Sequence, residues 1–218
     1  MKKIKLILAT LFLFSSVFVY AQKKKSFEGV IVFDISVDAD EMDPMTKAML
    51  AGMELKTYLK NEKSRSESSM AMQKSITLSD SKAKTVVTLL EIMGQKFMIK
   101  TSPEDLTKLD KQSQSIKYFD ETKIIAGYTC KKAEIQISED SSPLIVYYTN
   151  DIAYPKYSSP FKVLEGFPLE FEGDMGGLKT KTTAKSVKEE KVEDSKFIVP
   201  EGYPETTMKE LQQMFGGE

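Results

Sequence analysis

The chain is 218 residues long, with 31 basic against 32 acidic residues, a net charge of −1, no histidine, no tryptophan and one cysteine. Near-neutral charge excludes bulk attraction to nucleic acid, and having Arg65 as the single arginine disfavours two-pronged reading of phosphate. Without histidine, Ser-His-Asp and Cys-His catalysis and histidine-built zinc sites are excluded, and neither a metal nor a cofactor is expected.

Residues 1–21 read as an export signal. Lys2, Lys3 and Lys5 lead an apolar run, and Val19 and Ala21 supply the small residues before a cleavage junction at Ala21 and Gln22. Gln22 stands where a lipid-anchored protein needs cysteine, and no later run approaches the ~18 apolar residues of a spanning helix. The expected mature chain, 22–218, is therefore one soluble domain in the periplasm or outside the cell, and not a lipoprotein. Cys130 has no partner for an intramolecular disulfide, so packing must supply the stability.

Alternation predicts a strand over 27–38, with Ile31, Phe33, Ile35 and Val37 on one face. Asp43-Pro44 opens a short helix on which Met45, Met49 and Met53 share a face. A meander follows, with strands at 54–59, 65–70, 74–78, 85–92 and 95–99 punctuated by Asn61-Glu62, Asp80-Ser81 and Met93-Gly94. A capped helical turn is predicted from Ser102 onward. Further strands are expected at 115–119, 123–125, 128–137 and 144–149, then an irregular excursion over 154–166 with Pro155 and Pro160. Strands at 169–172 and 178–189 flank a glycine-rich turn at 173–177, and an amphipathic helix over 204–215 should dock on the sheet. The fold class is mainly β (α+β): a single curved antiparallel sheet or half-barrel with one or two helices against its concave face.

No residue is nominated as catalytic. Two Ser-x-x-Lys matches, at Ser81 and Ser159, lack the companion motifs of penicillin-recognising enzymes and are chance spacings. Asp38, Asp40, Glu41 and Asp43 have calcium-type oxygens without the spacing of a helix-loop-helix site, and a solvated capping loop is the plainer reading. Cys130 is either a small buried hydrophobe or a reactive thiol, and with no histidine or second cysteine the buried reading is favoured. Met45, Met49 and Met53, with Met93 and Met98 from the meander, could form a soft apolar surface for a hydrophobic ligand; ordinary core filling is the competing reading.

The stretch Thr122-Lys123-Ile124-Ile125-Ala126-Gly127-Tyr128-Thr129-Cys130-Lys131-Lys132-Ala133 resembles the signature of a secreted Bacteroidetes domain family of uncharacterised function. Tyr147-Tyr148-Thr149-Asn150-Asp151-Ile152, Gly166-Phe167-Pro168-Leu169 and Phe197-Ile198-Val199-Pro200-Glu201-Gly202-Tyr203 continue it, and the Gly, Pro and Leu at 166, 168 and 169 are similar to the name-giving motif of the GLPGLI family. The resemblance implies a fold like that of envelope lipoprotein carriers, a curved antiparallel sheet wrapped around helices, and carries no activity. The expected function is accordingly that of a protein that is not an enzyme and binds a lipid or acyl chain in the hollow of the sheet. The alternative is an envelope protein-protein interaction or sensing module using strand edges and the 154–166 excursion.

Overall fold

Period-2 patterning and closely spaced turns build eleven strands among the residues that the computed structural model describes, which are 26–37, 42, 50, 53–71, 73–102, 104–106, 115–136, 142–157, 159, 161–175 and 178–215. The expected export signal with its expected junction at Ala21 and Gln22, the acidic residues Asp38, Asp40, Glu41 and Asp43, and Met45 and Met49 lie outside the described residues. The strands are β1 (Gly29–Val37), β2 (Glu54–Lys60), β3 (Lys63–Met70), β4 (Gln73–Asp80), β5 (Thr85–Ile92), β6 (Gln95–Lys100), β7 (Ser115–Ile125), β8 (Tyr128–Gln136), β9 (Leu144–Thr149), β10 (Phe167–Met175) and β11 (Leu178–Glu189). They form one open, curved antiparallel sheet in the order β6-β5-β4-β3-β2-β1-β11-β10-β9-β8-β7. Two meanders, β1 to β6 and β7 to β11, are thus zipped together where β1 pairs with β11, from Gly29 opposite Glu189 to Val37 opposite Thr180.

Two hairpins turn through left-handed residue pairs, Met93-Gly94 (φ 52° and 81°) and Ala126-Gly127 (φ 47° and 86°), whose twist matches that of the strands they join. The segments expected as separate strands at 115–119 and 123–125 are one strand, because a bulge between Tyr118 and Thr122 absorbs the break in alternation. β10 likewise runs through Gly173 to Met175, where the glycines suggested a turn, since those residues stay in register with β11.

Register sorts the side chains by face. Phe33, Leu55, Ser66 and Thr77 mark one face, while Tyr58, Arg65 and Leu78 mark the other. Over that second face runs a strap from 190 onward, held by Lys60 Nζ donating to Val192 O (2.7 Å) and Arg65 donating to Lys196 O (2.9 Å). A 3-10 helix, Asp194–Phe197, lies along it. The strap ends beside β6, where Met98 N donates to Pro204 O (2.8 Å) and Thr206 N to Met98 O (2.9 Å).

Helix α1 (Met208–Phe215) then begins at a reciprocal cap: Glu210 N donates to Thr207 Oγ1 (3.2 Å) and Thr207 N to the Glu210 carboxylate (2.9 Å). It starts later than the expected 204 because 204–206 is spent on the β6 edge. Leu211 is buried, and Phe215 packs edge-on against Phe97 at 5.8 Å. The helical turn at 104–106 is capped by Ser102, whose Oγ accepts from Asp105 N at 3.1 Å. One core cluster gathers Ile31, Phe33, Leu59, Cys130, Ile152 and Leu169; another gathers Ala133, Ile135, Val146, Tyr148, Phe161 and Leu164.

Candidate functional site

Strand β3 reads Lys-Ser-Arg-Ser-Glu-Ser-Ser-Met, so alternation puts Ser64, Ser66 and Ser68 on one face. Register places Thr57 of β2 and Thr77 of β4 on either side of Ser66, and Thr88 of β5 beside Thr77. The result is a row of hydroxyls crossing four strands, in which Thr57 Oγ1 and Ser66 Oγ stand 3.3 Å apart. Ser79 stands beside Ser64 and Ser75 beside Ser68. On the same face the row meets apolar ground at Phe33 and Leu55.

Aromatic rings form the wall. Phe171 lies 6.4 Å from Phe33 and 4.8 Å from Phe161, and Tyr154 meets Phe167 edge-on at 4.9 Å. The excursion that carries Tyr154 and Phe161 is fastened to the floor by Ser79 Oγ donating to Tyr157 O (3.3 Å) and Tyr157 Oη donating to Lys84 O (3.0 Å). It returns to β10 through Gly166, where a Cβ would fall 2.1 Å from Thr149 O, so only glycine fits this approach. Burial pushes the Tyr154 phenol up to about 12, and its hydroxyl donates to Phe161 O at 3.2 Å.

Floor, wall and loop enclose a cavity of about 290 Å³ with no charged residue in its lining. Its hydroxyls offer both donors and acceptors, and its rings offer apolar faces, so it suits an uncharged ligand with apolar faces and polar edges.

The candidate methionines among the described residues, Met53, Met93 and Met98, stand elsewhere. Met53 is half-buried ahead of β2, Met93 is 68% exposed at the β5–β6 turn, and Met98 is half-buried beside Leu89. None of these three lines the cavity. What sequence reasoning passed over was a signal it could see, hydroxyls at every second position of β3 and β4, because such a pattern also describes a solvated strand.

On the opposite side of β10 the carboxylate of Glu170 is buried and saturated. Lys123 Nζ donates to both its oxygens (2.6 and 2.7 Å), Thr183 Oγ1 donates at 3.0 Å, and Lys181 Nζ lies at 3.2 Å. Beside it Tyr147 donates to Glu121, which also accepts from Lys132 at 3.2 Å; that bond to Glu121, with burial, pushes the Tyr147 phenol up to about 12. Cys130 is fully buried, and burial, aided by the charge of Glu170, pushes its thiol up to about 11. Among the described residues, no group of three or more Cys, Asp or Glu is placed to hold a metal ion, and no helix is long and apolar enough to cross a membrane.

Two solved structures of PNGF-II, in different space groups, share this fold with TM-scores of 0.58 and 0.56 at 20% identity, each covering 87% of this chain. The match covers 33% and 32% of those chains, so this chain spans about a third of their length. LprF from Mycobacterium bovis is similar at a TM-score of 0.30 and 10% identity, over 73% of this chain and 85% of that one, too slight a likeness to interpret. No curated protein matches the chain. Residues 42–203 match the family model described as N-glycanase peptide, N-terminal domain. This match overturns the expectation that the chain is not an enzyme, since the family takes its description from an N-glycanase. The absence of histidine excludes Ser-His-Asp and Cys-His catalysis and histidine-built zinc sites, and leaves acid-base chemistry by carboxylates open. With well over half of its residues inside that match, the chain belongs to the N-glycanase peptide N-terminal domain family.

Proposed function

We propose that this domain holds the glycan of an N-linked glycopeptide for N-glycanase action, using the cavity between the hydroxyl row and the aromatic wall. The observation that carries the reading is the pairing of Phe171 and Phe161 with Thr57, Ser66 and Thr77 in a lining without charge. A sugar ring has an apolar C–H face and a rim of hydroxyls, so it satisfies both surfaces at once. An acyl chain would cover the same hydroxyls without replacing their bonds to water, at a cost of ~1–3 kcal/mol for each group left unpaired. The ligand expected to be hydrophobic is therefore better described as amphipathic and neutral. The leader at 1–21 supports export, which would bring the domain to glycoproteins at or beyond the envelope.

Isothermal titration with a free N-glycan, its glycopeptide and the bare peptide tests this. The glycan and glycopeptide are expected to bind and the bare peptide not. Phe171→Ala should weaken binding about tenfold, the loss of one aromatic contact worth ~1.4 kcal/mol. Co-purifying lipid in native mass spectra, with no heat from any glycan, would overturn the reading.

A further inference from the structure

The hydroxyl floor does not stop at the cavity. Thr57, Ser66 and Thr77 line it, whereas Thr88, next in the row, and the neighbouring pair Ser68 and Ser75 lie outside it and are half-buried. Strands are spaced ~4.8 Å apart, so the row from Thr57 to Thr88 extends ~14 Å across the sheet, well beyond one sugar ring. At its far side come Leu90 and Phe97, and the Phe215 ring of α1 stands against Phe97, giving the floor an aromatic group at each end.

Charge is sorted between the two faces of this half of the sheet. On the cavity face, β3 presents Ser64, Ser66, Ser68 and Met70, and β4 presents Gln73, Ser75, Thr77 and Ser79. β5 and β6 continue it with Val86, Thr88, Leu90 and Ile92, then Gln95, Phe97 and Ile99. None of these is charged. The opposite face of the same strands carries Lys63, Arg65, Glu67, Lys74, Asp80, Glu91, Lys96 and Lys100. In a chain that is 29% charged, a strand face left to solvent would ordinarily take its share of lysine and glutamate.

We infer that this face is an extended platform for a linear, neutral saccharide, with the terminal ring in the aromatic cavity and the following rings laid across β3, β4 and β5 toward α1. The strand spacing is close to the length of one pyranose unit, so successive rings meet successive hydroxyls. The inference rests on the saccharide reading of the cavity and adds direction, length and neutrality to it.

Titration of the full chain with chito-oligosaccharides and manno-oligosaccharides of one to four rings tests it. Affinity in at least one series is expected to rise about tenfold for each of the second and third rings, as each gains one or two hydrogen bonds, and then to level off. Thr88→Val keeps a β-branched side chain and removes only the hydroxyl. It should weaken three-ring binding about 3–10-fold while leaving single-ring binding unchanged, and Ser75→Ala should behave alike. If a single ring binds but added rings gain nothing, or Thr88→Val leaves three-ring affinity unchanged in a protein whose urea midpoint is native, the platform is wrong and the cavity reading survives. If no saccharide of any length binds, both fall together.

Discussion

Glu170 shows how one side chain can be buried as a charge and still contribute to stability. Burial pushes its carboxyl up, but the hydrogen bonds from Lys123, Thr183 and Lys181 outweigh that and hold it below the ordinary glutamate value. Because the folded value is the lower one, the stabilisation is complete above the unfolded value of ~4.3 and is lost as pH falls through the folded value. Glu170→Gln should therefore lower the unfolding free energy at pH 7 by about 1–3 kcal/mol, since it trades charged hydrogen bonds for neutral ones. The difference from the unaltered chain should shrink as pH falls below the ordinary carboxylate range. Urea midpoints at pH 7 and pH 3, with an unchanged slope, check both statements. Equal midpoints at pH 7 would mean that desolvation cancels the pair. Nothing in the local sequence Gly-Phe-Pro-Leu-Glu announces such a residue, because its lysines come from β7 and β11 and only the register brings them together.

At the scale of elements, strands and hairpins were legible because period-2 alternation and turn residues are local signals. β5, β9 and β11 fall where the pattern puts them. The bulge in β7 was not legible, since an added residue in a strand looks like an interruption until its partner strand is known. Nor was the cavity, whose floor comes from β2 to β4 and whose wall comes from the excursion and β10, far away in the chain. Met93 separates the local signal from the functional guess. It occupies a left-handed turn position at φ 52°, where a side chain other than Asn or Gly costs ~1 kcal/mol, and it is exposed. Met93→Asn should stabilise the chain by up to about 1 kcal/mol, read as a raised urea midpoint, while glycan affinity stays unchanged. A loss of ligand binding in this variant would instead return the methionines to the site.

An open sheet of eleven strands has two edges to protect, and the two are handled differently. β7 carries a bulge and the charges Lys117, Asp120, Glu121 and Lys123, which discourage a flat partner strand. β6 is instead covered by the chain itself, through the Met98 bonds to Pro204 and Thr206 and the packing of α1 on Phe97. The fastening of the strap at Lys60 and Arg65 is independent of this cover, because those contacts end at Lys196. A chain ending at Gly202 should therefore keep its sheet, with strand circular dichroism and a cooperative urea transition, but expose Phe97 and the free groups of Met98. Self-association follows from that exposure: sedimentation should show a monomer for the full chain and concentration-dependent larger species for the shortened one. A shortened chain that remains monomeric at the same concentrations would place the protection of β6 in its own side chains, Lys96 and Lys100, rather than in the segment laid beside it.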